Sequence, residues 1–494
     1  MKFTRILALV LAILMILPLV VACGNKNDDK GNQDVVGTLA PTGTDDAGNV
    51  IDLDPKLEAK DYKGYVFDIV SHVEEPYVAD EILGMAVNDA VYERNSYIEQ
   101  KYNIEISCTK VAEAGYLSKV EAVNLSSLYD EIDLLAPGVS YAYQLASQGH
   151  LMELTDIPNL NLDKPYWWQY VMDDTSIGGK NYFSINDSCQ RSFYQIAVCI
   201  FNKDIMLNNK IENLYDLVES GDWTLEKMME ISRSAYSDTT GDGVSLDDTF
   251  GLTGNSWMTD CFVYGWNYIL VDKDENQMPR FRLSDIAANQ KFFDAFEKLT
   301  SFFHDPTTLY GEKQTHVSNG RQVVPQETFE DGRCLFWVES IGWTENLRKL
   351  DLAFGLLPVP KIDKDQEMYT NGIHSWTSAT VCVLTSAETM DIDRTGRIVE
   401  DMAYASNYYV RPAYYDVLLK GQTVYDEESY DMLTYILDNV RVDLAVVLRQ
   451  AGLTLLDDFR NFATNQEKAA SRIERYMSSY STIIDRVKTQ YGAQ

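Results

Sequence analysis

Positive charge is what this 494-residue chain has least of: 42 lysines and arginines face 75 aspartates and glutamates, a formal net charge of −33. That balance repels phosphate backbones and anionic lipid headgroups, which excludes nucleic acid as a partner and adsorption to a membrane surface as a mode of attachment. Histidine is scarce as well. The five, His72, His150, His304, His316 and His374, form no close pair and no HExxH, so a zinc hydrolase would lack its ligands. A GxSxG nucleophile elbow is missing too. Seven cysteines occur, and apart from Cys23 they are scattered through apolar surroundings at Cys108, Cys189, Cys199, Cys261, Cys334 and Cys382. They lack the dense spacing of a disulfide-stapled scaffold, and buried free thiols are expected. The apolar run from Ile6 to Val21 is shorter than a membrane span and is followed by acid rather than base.

What is present begins with that run. Lys2 and Arg5 precede it, the charged-then-apolar order of a secretory signal, and it ends in Val20-Val21-Ala22-Cys23. Small and aliphatic residues leading into a cysteine resemble the lipobox of bacterial lipoproteins, which implies cleavage after residue 22 and acylation of Cys23. Each buried methylene adds roughly 0.8 kcal/mol, so more than one acyl chain makes a durable tether. The protein is then expected on the extracellular face of the cell membrane, held by its lipid alone. Residues 23–60, rich in Gly, Asn, Asp and Thr, read as a hydrated leash.

With 45% hydrophobic and 12% aromatic residues, the remainder can fill two or three sizeable cores. Tyr65 to Val70 is a β-rich run, and a helical pattern passes through Ala86, Ala90, Val91 and Ile98 into Tyr102. Ile104 to Ser107 and Ile132 to Ala136 read as further strands, with a helix around Tyr116 to Leu128 between them. This alternation predicts an open, mainly parallel α/β sheet with ligand loops at its carboxyl edge, Val73 to Tyr77 and Gly138 to Tyr141. Gly179 to Ile185 and Gln195 to Lys203 read as two strands, Thr224 as a helix N-cap, Phe292 to Phe303 as an amphipathic helix and Trp376 to Thr385 as a last β-like run. Ala469, Ile473, Tyr476, Tyr480, Ile484 and Val487 mark the buried stripe of the final helix.

A lipobox, a polar leash and a βαβ lobe, followed in order by GKNYFSIND, IAVCIFNKDI, LYDLVESGDWTLEKMMEI, FEDGRCLFWVESIGW and FGLLPVP, resemble the extracellular solute-binding proteins of ABC importers, family 1, the maltose-binding-protein-like group. The similarity runs from about Asp61 to Gln494. It implies an α/β, two-lobed periplasmic-binding-protein fold with hinge strands and a ligand cleft between the lobes. Lobe one would combine residues 61–187 with 374–420, and lobe two 188–373 with 428–494. Crossings would lie near Asn186 to Gln195, Gly372 to Trp376 and Gly421 to Glu427. The function implied is capture of a mono- or oligosaccharide by lobe closure and delivery to an ABC permease, with no catalytic group and no required cofactor. The partners implied are that sugar and the permease subunits, and the protein would act as a monomer.

Sugars present apolar C–H faces and hydroxyl edges, which call for aromatic plates and a few fixed donors and acceptors. By position in the family pattern, Trp257 and Trp343 are the first choices for stacking. Glu74, Ser140, Tyr141 and Asp187 are candidate hydrogen-bonding partners, with Glu339 and Trp376 beside them. Ser340-Ile341-Gly342-Trp343 stands where maltose-binding protein has Pro-Trp-Ala-Trp, which leaves the stacking residue and the sugar preference open. Trp167 and Trp168, beside Pro165-Tyr166, read as packing.

Asp238-Thr239-Thr240-Gly241-Asp242-Gly243 resembles the start of an EF-hand-type calcium loop, with oxygen ligands expected from Asp238, Thr240, Asp242 and, in place of the acid missing at Thr249, Asp248. A surface turn fits the same residues, and any calcium there would be structural. Two other functional classes share the composition: an extracellular glycosidase working with paired carboxylates, and a surface sensor or adhesin subunit.

Overall fold

A computed structural model describes residues 42–44, 50–72, 77–126, 132–241, 243, 245, 247–311, 317–318, 321–322, 325–350, 352–374, 378–386, 391–419 and 427–492. Cys23 and its lipobox, Glu74, Asp242 and Trp376 lie outside the described residues.

Two sheets organise the chain. The first is parallel throughout, with Tyr65–Ser71 between Ile104–Lys110 and Leu134–Ala136, so that Ile69 faces Cys108 on one side and Leu134 on the other. Ala86–Tyr102 makes the crossover between the first two strands. Its Ala90, Val91, Arg94, Asn95, Ile98 and Tyr102 fall on one buried face, which packs along the Ile392–Leu419 helix more than 290 residues on. Polar contacts fix that packing, because the buried Asp401 accepts a hydrogen bond from the Tyr102 hydroxyl at 2.6 Å and pairs with Lys101 Nζ at 2.6 Å. The helix stops at Asn103, which takes the left-handed conformation at φ 46°.

The second sheet has five strands in the order Thr308–Tyr310, Phe250–Gly254, Cys334–Ser340, Ala197–Asn202 and Phe354–Leu357. Its first three strands run parallel, whereas Ala197–Asn202 is antiparallel to both of its neighbours. All seven residues of Cys334–Ser340 and all six of Ala197–Asn202 are buried, the continuous apolar signature of strands covered on both faces. Thr224 caps its helix as expected, its hydroxyl accepting from the Lys227 amide, and Gln290–Phe303 and Ala469–Gly492 supply amphipathic covering helices.

The backbone passes between the sheets on paired segments. Ile196 bridges Ile373 and Ser184 bridges Val381, both antiparallel, and the Ser192 hydroxyl donates to the Ala379 carbonyl at 2.8 Å. Beyond them Leu135 bridges Cys382 and Leu151 bridges Leu384, tying the returning segment to the first sheet. The Gly421 to Glu427 crossing, apart from Glu427, is outside the described residues. Gly179 to Ile185 differs from expectation: single bridges at Lys180 and Ser184 take the place of a strand, because no neighbour runs alongside it for more than one residue. In the expected Trp376 to Thr385 run, the described residues, from Ser378 on, make single bridges at Val381, Cys382 and Leu384.

A second connection was not foreseen. Val139–Ser147 packs on Leu444–Val447 and Leu448–Ala451, and Arg441 forms a two-pronged pair with Asp174, Nε to Oδ2 at 2.8 Å and Nη2 to Oδ1 at 2.7 Å. Tyr143 stacks on Tyr491 of the last helix, with ring centroids 6.3 Å apart. The C-terminal segment therefore braces residues before and after the first crossing. The six described cysteines are free thiols, five of them buried and Cys108 half-buried. Among the described residues no helix is long and apolar enough to cross a membrane.

Candidate functional site

Loops from both sheets and from the paired crossing segments surround a cleft of about 900 Å³. The first sheet contributes Val78 and the start of the following helix, Met85 to Asn88. The crossing segments contribute Arg191, Tyr194, Gln195 and His374, and the second sheet contributes Asn255, Glu339, Ser340, Trp343, Glu345 and Asn346. Both strand ends that supply the second wall, Phe250–Gly254 and Cys334–Ser340, point their carboxyl termini at it, which is where ligands meet open α/β sheets. Another concavity, about 620 Å³, lies between Thr224–Glu226, Lys291–Lys298 and Ile362–Asp365. Its charged groups neutralise one another, Lys291 with Asp363 at 2.6 Å and Lys298 with Glu226 at 2.5 Å, and all of its lining comes from one side of the crossing. The first cleft is the candidate site.

Glu339 sits at the penultimate position of its strand, buried, and accepts from Asn255 Nδ2 at 3.0 Å and from the Ser340 amide at 2.8 Å. Burial pushes its carboxyl up from the usual range, and the donors from Ser340 and Asn255 oppose that without cancelling it. Trp343 follows in the short turn after the strand, half-buried, with its ring 5.9 Å from that of Trp337 and one surface toward the cleft. Trp257 stands one layer back. It is 7% exposed, its amide donates to Asn255 Oδ1 at 2.8 Å, and its ring lies 5.2 Å from the His374 imidazole. It supports the wall that Asn255 and His374 present.

His374 lies between Gln195, whose carbonyl accepts its amide at 2.9 Å, and Trp257. Burial, with the positive charges of Arg460 and Arg191, pushes its pKa down to about 4. The unfolded chain binds a proton near pH 6.5 that the folded chain refuses, so stability contributed by neutral His374 is complete above pH 6.5 and is lost as pH falls toward 4. Urea midpoints measured from pH 7.5 to 4.5 should fall more steeply for the natural protein than for His374→Gln. Parallel curves would exclude this role.

The other residues singled out in the sequence are placed as follows. Asp187 is fully buried, accepting from Trp168 Nε1 at 3.0 Å and Asn407 Nδ2 at 2.7 Å, with Arg411 at 3.7 Å. It ties the first crossing to the Ile392–Leu419 helix and does not line the cleft. Ser140 and Tyr141 belong to the Val139–Ser147 helix, away from the cleft lining, with Ser140 buried. Trp167 is buried with Nε1 donating to Glu400 at 3.1 Å, a packing role. In the Asp-Gly loop the Asp238 carboxylate accepts the amides of Gly241 at 2.6 Å and Gly243 at 3.0 Å, while Asp248 accepts from the Ser245 amide at 2.8 Å and the Tyr236 hydroxyl at 2.9 Å. Burial would raise the Asp248 carboxyl, yet these donors together hold it below the usual range. The loop thus spends carboxylate oxygens on its own amides, and among the described residues no cluster of three or more His, Cys, Asp or Glu is placed to hold a metal. Arg191, Tyr194, Asn255 and His374 were not singled out in the sequence. The family pattern singled out Trp343, with Glu339 as a further candidate, but nothing local marks an arginine in a crossing segment as facing a cleft.

No protein-family model matches the chain, and no curated protein matches it by sequence. Solved structures do match in shape. The ABC substrate-binding protein Lmo0181 of Listeria monocytogenes, in complex with cycloalternan, is 14% identical with a TM-score of 0.53, over 87% of this chain and 100% of that one. UgpB of Mycobacterium tuberculosis, in complex with glycerophosphocholine, is 13% identical with a TM-score of 0.55, over 86% and 98%. The maltose-binding periplasmic protein MalE of Listeria monocytogenes, in complex with maltose, is 13% identical with a TM-score of 0.52, over 86% and 98%. Sheet order, crossing segments and these likenesses agree: the chain has the two-lobed α/β fold of the periplasmic-binding-protein type, on which these solute-binding proteins are built.

Proposed function

We propose that this is a lipid-anchored extracellular solute-binding protein that captures a mono- or oligosaccharide between its lobes and delivers it to an ABC permease. The observation that carries the reading is the cleft itself, with walls drawn from both sheets and a floor made of the crossing segments. A ligand that touches both walls favours the closed arrangement by its differential affinity for it, and that shift is what a membrane partner can read. Trp343 and Tyr194 offer apolar plates, while Asn255, Asn346, Glu339 and Arg191 offer fixed hydrogen-bonding groups, the mixture that a sugar's faces and edges require. The lobe limits expected from the resemblance, residues 61–187 with 374–420 and 188–373 with 428–494, would set the dividing plane through this cleft.

Purified protein incubated with a panel of oligosaccharides should show a ligand-dependent rise in melting temperature and no products by chromatography. Product formation would replace the binding reading with the glycosidase one. Trp343→Ala should weaken binding of a stabilising sugar by roughly 1–3 kcal/mol, about 5- to 150-fold, while Trp257→Ala, acting through Asn255 and His374, should weaken it less and also lower stability. Unchanged affinity in both variants would remove the site from this cleft. For the anchor, Cys23→Ser should release the protein from cell membranes into the medium, and retention in the membrane fraction would overturn it.

A further inference from the structure

We infer that the ligand of this cleft carries a carboxylate, as an acidic sugar such as a uronate does, and that Arg191 receives it; this rests on the solute-binding reading above and narrows it. Acids outnumber bases heavily in this chain, and several partly buried arginines have a carboxylate within reach, whereas the fully buried Arg94 is satisfied by Asn95, Ser406 and the Tyr77 carbonyl. Arg441 pairs with Asp174, Arg460 with Asp260, Arg394 with Asp133 and Arg449 with Asp457. Arg191 is half-buried in the crossing segment and lines the cleft, yet among the described residues no carboxylate lies within ion-pair distance of it, and its Nε is buried without a hydrogen-bond partner.

Among the described residues no close counter-ion compensates its charge. Glu339, the buried acid of the same cleft, is held by Asn255 and Ser340 and forms no ion pair with Arg191. Glu345 is exposed and makes no ion pair with Arg191. His374, the neighbouring titratable group, is kept neutral partly by Arg191 itself. A cation withdrawn from water without a counter-ion costs free energy that a ligand carboxylate can recover through a two-pronged guanidinium contact, worth more in a cleft than in bulk water. Trp343 and Tyr194 beside it suit the sugar ring that would carry the acid.

The test is calorimetric titration of the purified protein with two matched sets: galacturonate, glucuronate and trigalacturonate against galactose, glucose and galactotriose. Members of the acidic set should bind at least tenfold tighter than their neutral counterparts, with affinity falling between 50 and 500 mM NaCl. Arg191→Gln should cost the best acidic ligand about 10- to 100-fold, at least tenfold more than it costs the matched neutral sugar, and Arg191→Lys should recover part of the loss. If neutral sugars bind as well as acidic ones, or Arg191→Gln weakens both sets equally, the inference falls and the solute-binding reading stands. If nothing in either set binds, both fall. Should Arg191→Gln fail to fold, the acidic-to-neutral ratio of the natural protein and its salt dependence decide the matter.

Discussion

Arg460→Met lowers the stability of the protein by about 3–5 kcal/mol, the usual loss when one member of a buried ion pair is removed. Asp260 is fully buried in the first turn of Met258–Gly265, and Arg460 of Leu455–Asn465 grips it with two donors, Nε to Oδ1 at 2.9 Å and Nη2 to Oδ2. Burial pushes the Asp260 carboxyl up, and Arg460 is the main influence opposing it. Without the guanidinium the carboxylate faces Asp457 and an apolar interior, so it must either take up a proton or remain charged at large cost. Adding Asp260→Leu to Arg460→Met should restore more than half of the loss, because an apolar pair carries no orphaned charge. A fall in urea midpoint equivalent to less than about 1 kcal/mol in the single variant would show that the pair is dispensable. The same variant bears on the cleft, since the helix that begins at Met258 carries Trp257 at its entry.

Gly372→Ala is expected to cost roughly 2–4 kcal/mol, at the upper end of overpacking penalties, because its neighbours have nowhere to go. A Cβ at this position would fall inside the van der Waals envelope of the buried Tyr264 ring. Tyr264 cannot withdraw cheaply, because its carbonyl accepts from the Thr370 hydroxyl at 2.6 Å and its helix packs on the 371–372 strand. Gly372 pairs in register with Arg441, and Ile373 next to it bridges Ile196, so the strain is delivered into the crossing segments. In a Tyr264→Ala background the same glycine change should cost less than about 1 kcal/mol, since the clash is gone. Equal costs in both backgrounds would locate the effect elsewhere. A displaced crossing would also alter ligand affinity, which a merely local repacking would leave alone.

Local signals in the chain were read well where a single segment determines its own structure. The Ala86–Tyr102 helix and the Thr224 cap depend on apolar spacing and one side-chain oxygen, both visible in a short window. Gly179 to Ile185 has strand-like composition, but strand formation needs a partner over several residues, and that is a property of the fold rather than of the segment. The cleft divides in the same way. Glu339 and Trp343, singled out from the family pattern, both line the cleft at the end of Cys334–Ser340. Asp187, singled out at the expected crossing, is instead enclosed by Trp168, Asn407 and Arg411, which converge on it from segments up to 224 residues away. Arg191 was silent for the converse reason: what distinguishes it is that no described carboxylate lies within ion-pair distance of it, and spacing along a chain does not reveal a missing neighbour.

The free cysteines give the protein an internal clock. Cys189, Cys199, Cys261, Cys334 and Cys382 are sealed inside the fold, and burial pushes their thiols well above ordinary acidity, leaving almost no reactive thiolate in the closed molecule. Among the described cysteines a thiol reagent added to the native protein therefore reaches Cys108 first and must wait for the others until the interior breathes, so the pace of labelling at those five sites records how often each region opens.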